Sequence, residues 1–133
     1  MIPKFRAYDR TRHEMIDVHE IHFYNGKLDF IGDAITFMRT VDEIELMQST
    51  GLKDKNGAEI FEGDVIDYKG RKAVVKWHGP YASFIYIFID ELQKRKAEWK
   101  PLYLSYLKYE VVGNIYENKE YLKKRGTASN DKP

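Results

Sequence analysis

The chain has 133 residues, of which 43% are apolar, 32% charged and 14% aromatic, and its formal net charge is +1. This composition excludes a disordered chain and a bundle of bilayer-spanning helices, and the balanced charge argues against strong non-specific binding of nucleic acid, which needs a basic excess. Cysteine is absent, so disulfides, zinc–thiolate sites and thiol catalysis are excluded. The many aromatic residues favour β-structure, because their side chains suit a pleated, half-buried surface.

The first third of the chain has the pattern of short strands joined by turns. The segment KFRAYD at 4–9 alternates and predicts a first strand, followed by a turn at RTRH. Asn25-Gly26 lies between two apolar runs, and because this pair tolerates the positive φ of a type I′ turn, we expect a hairpin there. Residues 31–43 fit one helical turn and a strand, and EIELMQST at 43–50 fits another strand.

The stretch IELMQSTGLKDKNGAEIFEGDVIDY first suggests a calcium loop. An EF-hand loop that begins at Asp54 would have glycine in its sixth place and a bidentate glutamate in its twelfth. Glu59 is sixth and Val65 is twelfth, so the ligands are not where the ion needs them. We therefore interpret Asn56-Gly57 as a structural turn, in which polar side chains bond the local backbone.

The acidic residues that follow leave two readings open. Gly63 and Asp64 suit a backbone kink and a capped turn at the entry to a small barrel. Glu62, Asp64 and Asp67 could instead form a carboxylate cluster that holds Mg²⁺ for a nuclease, with Lys69 positioning water. Because no clear second acidic strand accompanies them, we predict no metal site, no cofactor and no catalytic residue here.

Three histidines, His13, His19 and His22, occur near the N-terminus without a compact zinc-ligand spacing. On one strand, His19 and His22 would point to opposite faces. We interpret all three as surface residues.

A second hairpin is predicted at Lys69-Gly70, and the strand after it, 71–78, alternates. Ala73, Val75 and Trp77 share one face, while the other face carries basic residues and should be half-solvated. Such a face could hold phosphates while aromatic residues stack bases. The nucleic-acid-binding candidates are Lys69, Arg71, Lys72, Lys76 and His78, with Tyr68 or Tyr81 for stacking. An ordinary solvated strand face is the favoured alternative, because acidic residues lie nearby and the net charge is small.

The segment SFIYIFID at 83–90 is apolar on both faces, so it must be covered on both sides. One face would fill the core, and the other would meet a sub-lobe or a second copy of the chain. The interface candidates are Phe84, Ile85, Tyr86, Ile87, Phe88 and Ile89.

The last part of the chain mixes charged and aromatic residues. The segment before Pro101 fits a surface helix or a long loop that ends at this proline. Residues 102–118 fit one or two strands, and ENKEYLKK fits a final helical turn with Asn118 as its N-cap. Residues 123–133 are polar and predict a disordered tail.

These elements amount to roughly seven to nine short strands. They predict a mainly β fold, either a small barrel-like (SH3-like) domain or a complex β-sandwich, with short helical segments. We expect one domain over residues 1–122, which could consist of two sub-lobes at about 1–50 and 51–122. The N-terminus has no apolar signal core, which favours a cytoplasmic protein.

Four segments carry a family resemblance: KFRAYD, IELMQSTGLKDKNGAEIFEGDVI, AVVKW and YEVVGNIYEN. In this order they resemble the YopX family of phage and prophage proteins, over about residues 4–122. The chain departs from the family pattern at Tyr8, where Trp is frequent, and at Lys119, where Pro is frequent. The positions matched in the segments are Gly51, Lys53, Asp54, Gly57, Glu62, Gly63, Asp64, Gly113 and Asn114.

The resemblance implies a mainly β protein of the bacterial cytoplasm with no established catalytic residues. Most of the matched positions are turn formers, whereas Lys53 and Glu62 are not needed by a turn and are surface candidates for a functional role. We expect a non-enzymatic binding or accessory module that acts on an unknown protein partner or by forming homo-oligomers. A nucleic-acid-binding barrel is the alternative, and a metal-dependent nuclease is the less favoured one.

Overall fold

The computed structural model describes residues 4–33 and 35–122, and this part of the chain is mainly β with short 3-10 turns. The mainly β, barrel-like prediction is confirmed, because curled antiparallel sheets form a half-barrel. The strands are β1 (Phe5–Asp9), β2 (Glu14–Val18), β3 (Ile21–Tyr24), β4 (Lys27–Gly32), β5 (Met38–Thr40), β6 (Ile44–Lys53), β7 (Glu59–Phe61), β8 (Asp64–Tyr68), β9 (Arg71–His78), β10 (Ser83–Phe88), β11 (Trp99–Pro101) and β12 (Glu110–Asn114).

The 3-10 turns are each three or four residues long within the described ranges. They are Val41–Glu43, Gly79–Tyr81, Ile89–Glu91, Leu102–Leu104, Tyr106–Lys108 and Lys119–Leu122. In the described part of the chain, no helix has the length and apolar character needed to cross a membrane.

Contacts along the chain define two compact units, Met1–Ser49 and Thr50–Pro133. In the first unit, β1 lies between β2 and β6, and β4 lies between β3 and β5. The register pairs Ala7 with Ile16 on one side and with Leu46 on the other. Its core is a small cluster of Ala7, Ile31 and Ile44, with half-buried Val18, Ile21, Phe37 and Leu46 packed against it.

The second unit is built on a five-stranded antiparallel sheet with the order β11-β10-β9-β8-β12. Alternate residues of the central strands face one core, since their side chains alternate between the faces of the sheet. The buried members of this core are Ile60, Ile66, Ala73, Val75, Tyr86, Phe88, Leu102 and Tyr109. Tyr86 contacts both Phe88 and Tyr109 through its ring, with centroid distances of 5.6 and 5.0 Å.

Both predicted hairpins are confirmed. Asn25 and Gly26 have φ values of 51° and 76° between β3 and β4, and Lys69 and Gly70 have 53° and 88° between β8 and β9. Positive φ at both central residues is the geometry of a type I′ turn, whose twist matches that of the strands it joins.

Several sequence predictions need correction. The described residues form twelve strands rather than roughly seven to nine, because short strands such as β7 and β11 were not foreseen. Leu102–Leu104 and Tyr106–Lys108 are 3-10 turns, not strand, and Pro101 pairs with Ile85 inside β11 instead of ending a helix.

Two details of the second unit also differ from prediction, and a third, the final turn, is confirmed. Val74 is buried although it shares a face with Lys72 and Lys76, so this face is solvated only in part. Ile89 begins a 3-10 turn and does not belong to the strand before it. The final turn at Lys119–Leu122 is present, and the Asn118 side chain accepts the Asn114 N–H at 3.1 Å. The predicted tail, 123–133, lies outside the described residues.

Candidate functional site

The acidic stretch of the second unit is organised around Asp54, which is buried. Its Oδ1 atom accepts the backbone N–H groups of Asn56 and Ala58, both at 2.8 Å, and its Oδ2 atom accepts that of Val111 at 2.8 Å. Burial raises the pKa of this carboxyl, but the three hydrogen bonds outweigh it and hold the pKa below its ordinary value. Gly57 closes the turn with a φ of 86°. Asp54 is therefore a structural carboxylate, as the turn interpretation requires.

The carboxylates of the nuclease hypothesis have separate tasks. Asp64 is buried, and its Oδ2 atom accepts the Phe61 N–H at 2.8 Å across the bend made by Gly63, whose φ is 88°. Asp67 lies 3.5 Å from the Lys72 ammonium. Glu62 is half-buried between β7 and β8. This arrangement does not favour a shared metal. Asp64 accepts a backbone N–H of the turn before its strand, whereas the Asp67 side chain lies on the opposite face of β8.

Metal-ligating side chains are dispersed in the described residues, where no three of His, Cys, Asp or Glu form a group suited to an ion. His13 lies beside the Tyr8 hydroxyl, with Nδ1 at 3.2 Å from the oxygen. His22 stacks on the Phe30 ring at 4.2 Å and contacts Glu20 at 3.2 Å. His19 is exposed, lies between β2 and β3, and lines a cavity. These contacts give His13 and His22 a structural explanation.

The basic candidates divide into paired and unpaired residues. The Arg71 guanidinium contacts both carboxylate oxygens of Asp90, at 3.0 and 3.2 Å, and lies 3.6 Å from the centroid of the Phe88 ring. Lys72 pairs with Asp67, and Lys69 lies over the Tyr68 ring at 5.3 Å. Much of the positive charge predicted for this hairpin is therefore compensated by neighbouring groups.

Lys76 and His78 have different surroundings. Lys76 is exposed, and in the described part of the chain no carboxylate lies within ion-pair distance of it. Two residues further, the His78 ring contacts Tyr81 at 5.2 Å and Trp99 at 4.8 Å, and the last two rings lie 5.1 Å apart. We call His78, Tyr81 and Trp99 the ring cluster. His78 and Tyr81 were predicted from the sequence, whereas Trp99 was not, because it reaches them only through the pairing of β11 with β10.

The six interface candidates, residues 84–89, are not equivalent. Ile85, Tyr86 and Phe88 are buried, and the last two belong to the core of the second unit. Phe84, Ile87 and Ile89 are half-buried and keep some accessible surface. The interface hypothesis for this strand stays a prediction, and it now concerns these three residues.

Three exposed apolar side chains lie close together in sequence, in the two 3-10 turns after β11. Tyr103, Leu104 and Leu107 are 59%, 67% and 66% exposed. Their neighbours Leu102 and Tyr106 pack into the core and thereby hold the segment in place. This exposure was not predicted, because LYLSYL alternates in a way that suits a strand with one buried face.

Two aspartates of the first unit also organise turns. Asp9 is fully buried, accepting the Thr11 and Arg12 N–H groups on Oδ1 and the Arg39 Nε–H on Oδ2 at 2.6 Å. Asp33 accepts the N–H groups of Ile35, Thr36 and Phe37 on Oδ1. Hydrogen bonding, led by the Thr36 hydroxyl, holds the pKa of Asp33 well below its ordinary value. Neither aspartate was singled out from the sequence.

A cavity of about 340 Å³ opens beside Asp33 in the same unit. Asp17, His19 and Glu20 line one side of it, and Val18 and Phe37 supply apolar surface. It is an acidic recess, but the oxygens of Asp33 already accept hydrogen bonds from residues 35–37, so that carboxylate is not directed at a ligand.

Comparison with known proteins identifies the family. The family model described as YopX protein matches residues 4–123, which is most of the chain. The chain belongs to the YopX family. A solved structure, protein EF1440 from Enterococcus faecalis, is similar with a TM-score of 0.61 and 27% sequence identity over 92% of this chain and 99% of that one. No curated protein matches.

The YopX signature can now be explained residue by residue. Gly51, Gly57 and Gly63 have positive φ, where glycine is favoured, and Asp54 and Asp64 accept backbone N–H groups. Two further matched positions, Gly113 and Asn114, lie together at the end of β12: a Cβ on Gly113 would overlap the Asn118 side chain, and Asn114 Oδ1 accepts two backbone N–H groups. Lys53 is exposed and Glu62 half-buried, so these two keep no assigned part in the fold.

Proposed function

We propose that this YopX protein is a non-enzymatic binding or accessory module of phage or prophage origin, which acts in the bacterial cytoplasm by contacting another protein chain. The observation that supports this best is the exposure of Tyr103, Leu104 and Leu107 on neighbouring 3-10 turns. We call these three residues the apolar turn surface. Single exposed apolar residues are ordinary, whereas a contiguous set is typical of interaction sites.

The apolar turn surface is held in a defined conformation before any partner arrives. Leu102 is completely buried and Tyr106 packs against the same core, so the first residue of each turn is fixed. Backbone hydrogen bonds from Ser105 to Leu102 and from Lys108 to Ser105 close the turns at 3.0 Å. Such preorganisation lowers the entropy lost on association. Tyrosine and leucine together supply the apolar contact area that an interface core requires.

The acidic residues of the signature support a non-enzymatic role in a second way. Asp54 and Asp64 are candidate metal ligands in the sequence, yet each accepts a backbone N–H of its own turn. A carboxylate that stabilises a turn in its ionised form is poorly suited to exchange protons with a substrate near neutral pH.

The proposal is tested with the double variant Leu104→Ser/Leu107→Ser. The matched control is Phe23→Ser/Tyr24→Ser, which removes two side chains of similar exposure, 66% and 69%, from the β3–β4 hairpin. Sedimentation velocity of the purified chain shows whether the surface binds a second copy. Affinity capture from phage-infected cells, with quantitative mass spectrometry of parent and both variants, shows whether it binds another protein.

We expect a self-association step, or a specific captured protein, that is lost in the Leu104/Leu107 variant and retained in the control. If both variants and the parent sediment as the same monomer and retain the same proteins, the apolar turn surface is not a binding site. A nuclease assay with Mg²⁺ or Mn²⁺ on single- and double-stranded DNA completes the test, because cleavage lost in Asp64→Ala would overturn the non-enzymatic assignment.

A further inference from the structure

The ring cluster of His78, Tyr81 and Trp99 joins three separate elements at one end of the large sheet. His78 ends β9, Tyr81 ends the 3-10 turn that follows, and Trp99 begins the edge strand β11. Pro80 lies within the turn, and Ala82, in a left-handed conformation with φ 49° and ψ 47°, directs the chain back into β10. The turn therefore fixes the position of Tyr81 against the other two rings.

The ring cluster is only partly explained by packing. His78 and Trp99 lie on the same face as Ile85, which is buried, so covering that side chain is one role of their rings. Tyr81, however, is 66% exposed although it contacts both other rings. An aromatic ring that is held by neighbours and still open to solvent offers a face for stacking.

Uncompensated positive charge lies beside these rings. Lys76 precedes His78 by two residues in a continuous strand, so its side chain is on the same face of the sheet. It is exposed, and it has no ion-pair partner in the described ranges, in contrast to Arg71 with Asp90 and Lys72 with Asp67. Lys100 is also exposed but alternates to the opposite face, since it pairs with Tyr86.

We propose that the ring cluster and Lys76 form a binding site for single-stranded nucleic acid, in which a base stacks on Tyr81 or Trp99 and Lys76 contacts a phosphate. Stacking rings beside an unpaired cation are the combination by which small β-barrels hold single strands without reading their sequence. A duplex is disfavoured, because its bases are not available to the rings. This site shares no residue with the apolar turn surface and does not depend on the proposed protein contact.

The test uses fluorescence anisotropy with a labelled single-stranded oligothymidylate of about 12 nucleotides, within the range of site sizes of small barrels. An abasic oligonucleotide of the same length keeps the phosphates and removes the bases, and a duplex of the same length hides them. We expect binding of the first probe to be clearly tighter than binding of the other two. Equal binding of the abasic strand would show an interaction with charge alone and would overturn the proposal.

Two single variants locate the site. Because Tyr81 is largely exposed, Tyr81→Ala should leave folding intact and weaken binding about 5- to 150-fold, the range for loss of one stacked base. Tyr24→Ala, which removes an exposed ring of the first unit, should have no effect. Lys76→Gln should reduce the slope of log affinity against log salt by about one, whereas Lys100→Gln on the opposite face should not.

Tryptophan fluorescence gives an independent readout. The chain has two tryptophans, so the variant Trp77→Phe leaves Trp99 as the only one. Addition of the oligothymidylate should quench Trp99, and Tyr81→Ala in the same background should shift the quenching to higher concentration. Absence of oligonucleotide binding, or binding unchanged in Tyr81→Ala and Lys76→Gln, would overturn the proposal.

Discussion

The carboxylate of Asp54 accepts the backbone N–H of Val111, 57 residues further along the chain, at 2.8 Å. The same side chain closes the local turn through Asn56 and Ala58. A residue inside the family signature thus fixes the turn that contains it and the first half of β12. This explains why an acidic residue occurs in a turn whose geometry glycine and asparagine could provide alone.

Replacement of Asp54 should destabilise the second unit, and by less when the new residue is Asn than when it is Ala. Asp54→Asn retains one oxygen for the local turn but loses the charged acceptor of Val111, whereas Asp54→Ala loses all three hydrogen bonds. We expect losses of about 1.5 kcal/mol and about 3 kcal/mol in the free energy of unfolding, because hydrogen bonds to charged groups are stronger than neutral ones. Urea unfolding followed by circular dichroism measures both. Equal stability of the two variants would contradict the role assigned to Val111.

Stability should fall in mild acid because of Asp9 and Asp54. Burial raises the pKa of Asp9, but hydrogen bonds from Thr11, Arg12 and Arg39 outweigh it and hold the pKa well below its ordinary value. Since the folded-state pKa lies below the unfolded value of about 4, the unfolded chain binds more protons in acid. The contribution of Asp9 and Asp54 to the free energy of unfolding is therefore complete above about pH 5 and is lost progressively as the pH falls through 4.

The urea midpoint should accordingly decrease between pH 5 and pH 3 in the parent chain. Asp9→Asn should be less stable at pH 7 and should lose less of its remaining stability over this interval, because one titrating group has been removed. Parallel curves for the parent and this variant would show that Asp9 is not a source of the acid sensitivity.

Gly113→Ala tests the close approach at the end of β12. A Cβ at this position would lie 2.7 Å from the Asn118 Cγ atom and 3.1 Å from the Tyr121 ring. Asn118 cannot move away without losing its hydrogen bond from Asn114. We expect a loss of about 1–3 kcal/mol in the free energy of unfolding. Gly79→Ala is the control, because the nearest atom to its Cβ is 4.0 Å away, and a similar loss there would contradict the steric explanation.

The side chains of Lys53 and Glu62 should not be needed for the stability of the fold. Lys53→Ala and Glu62→Ala are each expected to change the free energy of unfolding by less than about 0.5 kcal/mol, since neither removes a buried partner. Asp64→Ala, one position beyond Gly63, should cost about 2 kcal/mol because the buried Phe61 N–H would lose its acceptor. Thermal unfolding of the three variants distinguishes these outcomes, and a large loss in Glu62→Ala would give that residue a structural role.

The sequence was sufficient where a structure is decided locally. Asn25-Gly26 and Lys69-Gly70 were predicted as hairpins because positive φ at two consecutive residues is a property of those residues and their immediate neighbours. The prediction from the sequence was wrong for Leu102–Leu104. The alternating pattern there suits a strand, yet packing of Leu102 into the core of the second unit selects a 3-10 turn.

The candidate sites depend on contacts that span many residues. Trp99 joins His78 and Tyr81 because β11 pairs with β10, and no local pattern in the charged segment before it predicts that pairing. The ion pair of Arg71 with Asp90 is equally non-local, and it compensates the charge of a residue that was predicted as a nucleic-acid-binding candidate. Composition could suggest basic and aromatic residues together, but only the register of the sheet shows which of them meet.

The use of side-chain oxygens as turn acceptors has a consequence for local motion. Asp33 and Asp54 lose their charge in acid, whereas Asn114 holds an equivalent turn at Tyr116 and Glu117 with an uncharged amide. Amide hydrogen exchange at low pH should therefore lose protection first at Thr36 and Ala58, while Tyr116 keeps its protection and serves as an internal reference. Acid would open individual connections before the sheets separate, and the order of opening is set by which turns are closed by a proton-sensitive side chain.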